Sequence, residues 1–87
     1  MKVLNISGSN VHDLSGLELM AGLVSLSAAS NHLSSLESVL EIVSSMGMLT
    51  SLELRDNAKL NKAPMYRTKL IAHGRALQQL DGETLGL

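Results

Sequence analysis

The sequence predicts an α/β fold made of repeated units, each a short strand followed by a convex return segment. Two stretches, which start at Leu23 and Leu49, fit the same pattern L-x-x-L-x-[LA]-x-x-N. The chain opens with a degenerate third copy that has Leu4 and Ile6 at the inward positions. The equivalent leucines at positions 4, 26 and 52 are 22 and 26 residues apart, within the range of about 20–29 residues known for one class of strand-based repeat.

These observations match the leucine-rich-repeat signature. They predict a short right-handed solenoid with parallel strands on its concave side and helices or turns on its convex side. The repeats are expected at 1–22, 23–48 and 49–62, followed by a C-terminal cap at 63–87, all within a single domain. Stacked repeats of this kind present a curved surface and seldom a catalytic pocket, so the sequence predicts a non-enzymatic binding module.

The turn after each strand centres on an asparagine in the pattern, here Asn31 and Asn57. Such a side chain bonds neighbouring backbone groups along the turn. In the first unit Ser9 occupies the position, and its hydroxyl is predicted to replace the asparagine in part. The convex side of this unit offers only a short turn at residues 17–20.

The convex segment of the second unit is longer and predicts a true helix over residues 34–45. Its apolar residues recur at the i, i+3, i+4, i+7 spacing of one helix face; they are Leu36, Val39, Leu40 and Val43. Ser34 followed by Glu37 matches a capping box, and Gly47 is placed to end the helix.

The pattern changes after Asn57, where the sequence predicts a loop up to Tyr66 and a cap beyond it. Pro64 suits the first turn of a helix because its missing N–H is not needed there. That helix is expected over residues 65–73 and ends before Gly74, and a last strand at 78–80 leads to a turn at 81–82. A terminal unit of atypical sequence closes the apolar end of a repeat stack.

Composition excludes several classes of function. Seven Lys and Arg against eight Asp and Glu give a formal charge of −1, which argues against a broad contact with nucleic acid or an anionic membrane. Cysteine is absent, so disulfides and thiolate metal sites are excluded. The sequence lacks both the run of roughly 18 apolar residues that a membrane span needs and the apolar core of a secretory signal. A cytosolic or nuclear protein is expected.

The candidate partner-binding residues are the strand residues that point away from the core, because alternate residues of a strand face opposite sides. On the concave face these are Asn5, Ser7, Ser25, Ser27, Ala29, Ser51, Glu53, Arg55 and Asp56. Glu53, Arg55 and Asp56 are charged and long enough to anchor a partner. The alternative is a solvated strand face, on which a Glu53–Arg55 pair contributes a few tenths of a kcal/mol.

No catalytic, cofactor or metal site is predicted. His12, His32 and His73 have no second ligand at metal spacing, and no Gly-x-Ser-x-Gly elbow accompanies the abundant serines. Gly8 and Gly16 are isolated, so a phosphate loop is not expected. A hydrolase is therefore the most distant of the alternatives.

The end of the chain resembles a known family. Its segments Tyr66-Arg67-x-x-Leu70-Ile71 and Leu77-x-x-Leu80-Asp81-Gly82 are similar to the C-terminal cap of short cytosolic leucine-rich-repeat proteins. That group contains the Sds22-like regulators of protein phosphatase-1, the axonemal outer-arm dynein light chain and the spliceosomal U2 A-prime protein. Nearly the whole chain resembles the C-terminal repeats and cap of the Sds22-like family, above all its testis leucine-rich-repeat members.

This resemblance implies a regulatory or scaffold subunit whose partner is the phosphatase-1 catalytic subunit. The alternative is a structural axonemal or microtubule-associated protein of the dynein light chain type, with tubulin or dynein as its partner. Either protein would work in the cytoplasm, at a centrosome or in a cilium or flagellum. In the cap, Tyr66 is expected to pack on the last repeat, and Arg67 to bond strand-end carbonyls or Asp81.

Members of that family carry further N-terminal repeats, so the chain is expected to be a fragment or a shortened relative. Met1 would then lie inside a strand that has one open side. Residues 1–8 are accordingly expected to fray or to pair with another chain.

Overall fold

The computed structural model describes residues 2–85. A five-stranded sheet runs through this part of the chain: β1 (Val3–Asn5), β2 (Ser25–Ser27), β3 (Ser51–Glu53), β4 (Gln79–Leu80) and β5 (Glu83–Thr84). The strands lie side by side in chain order. The first four pair in parallel, and β5 runs antiparallel to β4. The parallel sheet with its helical returns confirms the predicted α/β class, whereas β5 has no counterpart among the predicted elements.

The register of the sheet is the one that the leucine pattern predicts. Leu4 pairs with Leu26, Leu26 with Leu52, and Leu52 with Leu80. The last three of these leucines are each at most 1% exposed, because they stack on one side of the sheet beneath the convex segments. The residues before and after them in each strand point to the other side.

Within residues 2–85 the convex side contains a 3₁₀ segment and three helices. The 3₁₀ segment is Leu17–Leu19, and the helices are α1 (Leu36–Ser45), α2 (Ala58–Asn61) and α3 (Tyr66–His73). The short turn predicted for the first unit and the helix predicted for the second are both confirmed. No helix within residues 2–85 is long and apolar enough to cross a membrane.

Helix α1 begins and ends slightly inside the predicted bounds. Its N-cap is Ser35, whose hydroxyl oxygen accepts a hydrogen bond from the N–H of Ser38 at 3.3 Å. The predicted capping box of Ser34 and Glu37 is therefore wrong by one residue, since both adjacent serines can cap and only the backbone path decides between them. The helix ends before Met46, whose N–H bonds the carbonyl of Val43.

The segment between Asn57 and Tyr66 is not the predicted loop, because it contains α2. Leu60 is completely buried, and the side-chain oxygen of Asn61 accepts the N–H of Asn57 at 3.0 Å. Pro64 lies in the turn before α3 and not in its first turn, since Met65 adopts a left-handed conformation with φ +59° and the helix begins at Tyr66. The predicted end before Gly74 is confirmed.

One apolar core fills the space between the sheet and the convex segments, and leucine supplies most of it. Asn31 and Asn57 are the buried polar residues of the described part of the chain. Within residues 2–85 every buried side-chain nitrogen or oxygen has a hydrogen-bond partner. The buried polar side chains beneath the concave face are therefore all hydrogen-bonded.

Candidate protein-binding surface

The concave face consists of two rows of side chains that cross the parallel strands. The register places Val3, Ser25, Ser51 and Gln79 in the first row, and Asn5, Ser27 and Glu53 in the second. The serines and Glu53 are partly exposed. Because most of these side chains are short, the rows form a shallow polar surface, named here the serine trough. The structure places the predicted Ser25, Ser27, Ser51 and Glu53 together in it.

Two members of the serine trough, Val3 and Gln79, are not among the residues predicted from the sequence. Each directly precedes an inward leucine, Leu4 or Leu80, so the same alternation that identifies Ser25 identifies them. Val3 is 65% exposed, which is unusual for a valine in a strand. The trough therefore extends from the edge strand β1 to β4.

Arg55 closes one end of the serine trough. Its Nε lies 2.9 Å from Oε1 of Glu53, and its Nη2 donates a hydrogen bond to the carbonyl oxygen of Asp81 at 2.9 Å. The second of these contacts links the end of β3 to the turn after β4. The side chain of Arg55 remains 52% exposed, so it is held in place and is still accessible.

Asp56 lies outside the serine trough, contrary to the prediction that grouped it with Glu53 and Arg55. It follows the end of β3 in a left-handed turn with φ +59°, and its carboxylate accepts a hydrogen bond from the hydroxyl of Ser30 at 3.2 Å. Ala29 also contributes little to the face, since it is 8% exposed. The alternation of a strand cannot be extended through such a turn, because the left-handed residue rotates the side chains that follow.

Asp56 instead lines a second groove of about 510 Å³ on the side where the chain leaves the sheet. The imidazoles of His12 and His32 stack there, with ring centres 5.3 Å apart and planes inclined by 21°. Lys59 also lines this groove. Within residues 2–85 no three His, Cys, Asp or Glu side chains are grouped so that they could hold a metal ion.

Asn31 holds the turns of two neighbouring units. Its side-chain nitrogen donates to the carbonyls of Ile6, Ala28 and Ala29 at 3.0–3.2 Å. Its side-chain oxygen accepts the N–H groups of Ser9 and Val11. Ser9 was predicted to replace an asparagine with its hydroxyl, but its backbone is held by Asn31 of the next unit, and its hydroxyl makes no hydrogen bond within residues 2–85.

Asn57 repeats this arrangement one unit later and is completely buried. Its nitrogen contacts the carbonyls of Ala28, Leu54 and Arg55, and its oxygen accepts the N–H of Leu33 at 3.0 Å. The residue therefore fixes the backbone on both sides of Arg55. All the contacts of its side chain are with backbone groups.

Asp81 continues the backbone ladder where the sheet ends. The N–H of Ile6 bonds the carbonyl of Ser27, and that of Ala28 bonds the carbonyl of Glu53. At the next equivalent position the N–H of Leu54 bonds the carboxylate Oδ1 of Asp81 at 2.7 Å. The side chain substitutes for a carbonyl because the backbone turns at Asp81, where φ is +52°.

The second carboxylate oxygen of Asp81 accepts the hydroxyl of Tyr66 at 2.9 Å. Burial raises the pKa of the Tyr66 phenol well above its ordinary value, and the hydrogen bond to Asp81 raises that pKa further. Within residues 2–85 Arg67 forms no hydrogen bond or ion pair with Asp81, contrary to the prediction. It forms an exposed ion pair with Glu83 at 3.3 Å instead.

The turn after Asp81 contains Gly82, whose backbone lies close to the guanidinium of Arg55. This glycine has φ +81°, and a Cβ added to it would collide with Nη2 of Arg55. We expect Gly82→Ala to lower the free energy of unfolding by about 1–2 kcal/mol, because left-handed backbone is costly for a residue with a side chain. Chemical unfolding measures the difference. Gly47→Ala is the matched control, since Gly47 has ordinary backbone and open space at its Cβ; equal losses in the two variants would contradict the prediction.

No protein-family model matches the chain. Among solved structures, the leucine-rich-repeat domain of Mex67 from Chaetomium thermophilum superposes with a TM-score of 0.84 at 21% sequence identity, over 99% of this chain. A structure of Chaetomium Mex67:Mtr2 subunits superposes with a TM-score of 0.85 at 21% identity, over 100% of this chain. The fold is leucine-rich-repeat-like.

The chain spans 59% and 57% of the lengths of these two neighbours. At this level of identity the likeness establishes the leucine-rich-repeat-like fold alone. The solenoid form, the repeat boundaries, and phosphatase-1, tubulin or dynein as partners remain predictions from the sequence.

Proposed function

We propose that the chain is a non-enzymatic protein-binding module that holds an extended segment of its partner in the serine trough. The observation that supports this function is the arrangement of side chains on the concave face. Four parallel strands in register present mostly short side chains there, in rows that cross the sheet. Short side chains let a partner backbone approach the sheet closely. Serine hydroxyls can both donate hydrogen bonds to peptide groups and accept them.

The guanidinium of Arg55 supplies the anchor of the proposed site. Arginine has five N–H donors, and within residues 2–85 Glu53 and the carbonyl of Asp81 engage Nε and Nη2. The remaining donors face a partner, so the group bound at this end of the serine trough is an acceptor, either a carboxylate or a main-chain carbonyl. Arginine is enriched among the residues that contribute most to protein interfaces.

The named partner that we propose is the phosphatase-1 catalytic subunit, with the chain as its regulatory or scaffold subunit. The support for this partner is the resemblance of the cap segment, from Tyr66 to Gly82, to Sds22-like regulators. The short docking segments that bind this phosphatase need a Phe or Trp, and the chain has neither, so the contact is assigned to the serine trough. The second candidate, supported by the same cap segment, is an axonemal or microtubule role with tubulin or dynein. Both place the protein in the cytoplasm, at a centrosome or in a cilium.

A steric block at the centre of the serine trough tests the proposed surface. In a titration against the phosphatase-1 catalytic subunit, Ser27→Tyr is expected to raise Kd at least about tenfold, because the ring fills the space that the partner backbone needs. Ser38→Tyr is the matched control, since Ser38 is an exposed serine of α1 on the convex side. Circular dichroism establishes that both variants are folded.

The experiment tests the location of the binding surface and the identity of the partner separately. Binding that survives Ser27→Tyr, or that both tyrosine variants weaken equally, would refute the serine trough as the site. A folded chain that does not bind the phosphatase but binds tubulin or dynein would replace the first named partner with the second.

A further inference from the structure

The groove of about 510 Å³ on the side where the chain leaves the sheet has the size of a small-ligand site, for which about 300–1,000 Å³ is usual. Its lining includes His12, His32, Ser34, Asp56 and Lys59, and it is named here the imidazole groove. None of these residues belongs to the serine trough. A ligand of the imidazole groove is therefore independent of the proposed function.

The backbone holds the two imidazoles of the groove in place. The N–H of His32 bonds the carbonyl of Val11 at 2.8 Å, and the N–H of Val11 bonds the side-chain oxygen of Asn31 at 3.0 Å. Val11 and Asn31 directly precede the two histidines in the chain, whose rings stack with centres 5.3 Å apart. Side chains that start from a fixed backbone lose less freedom when a ligand binds.

Four side chains of the imidazole groove have hydrogen-bond donors that the chain itself does not use. Within residues 2–85, the two imidazoles, the hydroxyl of Ser34 and the ammonium of Lys59 form no hydrogen bond or ion pair with another residue. It is the adjacent Ser35 whose hydroxyl caps α1. A neutral imidazole has one N–H donor, a hydroxyl has one O–H donor and an ammonium has three N–H donors. The groove therefore suits a ligand that is rich in acceptors.

Two carboxylates lie near these donors, and each accepts a hydrogen bond from the chain. Asp56 lines the groove, and its carboxylate accepts the hydroxyl of Ser30 at 3.2 Å. Asp13, directly after His12, does not line the groove, and its carboxylate accepts the N–H of Ser15 at 2.9 Å. Within residues 2–85 neither carboxylate forms an ion pair with a basic side chain of the groove. The basic side chains therefore remain accessible to an anionic ligand.

We propose that the imidazole groove binds a phosphate monoester. Such a group carries up to two negative charges and three strong acceptor oxygens. The ammonium of Lys59, on α2, pairs with these oxygens, and the hydroxyl of Ser34 donates to them. The imidazoles of His12 and His32 donate to the same group, and its charge favours their protonation, because an opposite charge nearby stabilises the charged form.

The rest of the lining distinguishes an organic ester from free phosphate and from a carboxylate. Leu33 and Ala58 also line the groove, so carbon atoms attached to the phosphate have apolar contacts there. Inorganic phosphate lacks these contacts and is expected to bind more weakly. A carboxylate has two coplanar oxygens and can satisfy fewer of the four donor side chains at once.

Titration of the ¹⁵N-labelled 87-residue chain with N-acetyl-O-phosphoserine amide, followed by nuclear magnetic resonance, tests the proposed site. The phosphate ester is expected to shift the resonances of His12, His32 and Lys59 in a saturable way. The same serine derivative without phosphate should leave them unchanged, and inorganic phosphate is the second probe. Ionic strength is held constant with sodium chloride, because salt screens non-specific attraction between exposed charges.

Single substitutions in the groove test the role of each charge. Lys59→Gln and His32→Phe should each raise the Kd of the phosphate ester about tenfold, because each removes a charge-assisted hydrogen bond; phenylalanine keeps a ring for the stack. Asp56→Asn should lower Kd about threefold, since it removes a negative charge and keeps an oxygen for the hydroxyl of Ser30. Lys62→Gln is the matched control, because Lys62 is exposed and does not line the groove. Its Kd should change less than about twofold.

Four results would overturn the proposal, with circular dichroism showing that every variant is folded. The first is the absence of saturable shifts at the groove, and the second is an unphosphorylated derivative or inorganic phosphate that binds as tightly as the ester. The third is an equal rise in Kd for Lys59→Gln and Lys62→Gln, which would mean a non-specific attraction of anions. The fourth is a Kd that Asp56→Asn leaves unchanged or raises.

Discussion

Asn57→Ala is expected to lower the free energy of unfolding by about 2–4 kcal/mol, because the change leaves the buried N–H of Leu33 without a partner and removes one of the hydrogen bonds that each of three carbonyls accepts. The wild-type side chain contacts three carbonyls and the N–H of Leu33, and it is completely buried. A chain of 87 residues has a total stability of roughly 4–13 kcal/mol. Urea unfolding followed by circular dichroism measures the loss.

Ser9→Ala is the control for this prediction. Ser9 occupies the position of the pattern asparagine in the first unit, but its hydroxyl makes no hydrogen bond within residues 2–85. Its replacement should change the free energy of unfolding by less than about 0.5 kcal/mol. A urea midpoint for Asn57→Ala equal to that of Ser9→Ala would contradict the assignment of Asn57 as the residue that holds two turns.

Tyr66→Phe is expected to cost about 2 kcal/mol near neutral pH, because it removes a hydrogen bond to the carboxylate of Asp81. The substitution should also change how the free energy of unfolding depends on pH in alkaline solution. Burial and Asp81 raise the pKa of Tyr66 in the folded state, so the unfolded chain loses the phenol proton first. Wild-type stability should therefore fall above pH ~10, the ordinary pKa of tyrosine, by up to about 1.4 kcal/mol per pH unit from this group.

The difference between wild type and Tyr66→Phe isolates this effect, since other alkaline titrations are common to both proteins. The gap in the free energy of unfolding should be constant up to pH ~10 and should narrow above it. Urea unfolding over that pH range measures the gap. A gap that stays constant or widens above pH ~10 would contradict the prediction, because it would mean that Tyr66 ionises at least as readily in the folded chain as in the unfolded one.

Most of the features that the sequence predicts correctly depend on the periodic spacing of apolar residues. The spacing of Leu4, Leu26 and Leu52 predicts the strand register, because each leucine must be buried against its equivalents. The apolar face of residues 36–43 predicts α1 in the same way. Ser25, Ser27, Ser51 and Glu53 follow from the alternation of these strands, so most of the serine trough can be read without the structure.

The features that the sequence does not predict depend on contacts between distant residues or on single backbone angles. Asp56 leaves the concave face because its φ is positive, a property that its residue type permits but does not require. The pairing of Arg67 with Glu83 depends on β5, and α2 depends on the contact between Asn57 and Asn61. None of these has a periodic signal in the sequence.

The side chains of Asn31, Asn57 and Asp81 each bond a backbone group of the unit before their own. Asn31 closes the backbone around Ser9, Asn57 bonds the N–H of Leu33, and Asp81 bonds that of Leu54. During synthesis each turn must therefore wait for a side chain that the ribosome adds more than twenty residues later. The hydrogen bonds of the first unit's turn form only after Asn31 of the second unit has been synthesised. Those at the end of β3 in the third unit form only after Asp81 of the cap has been synthesised. The order of closure during translation thus depends on residues that are still to be synthesised.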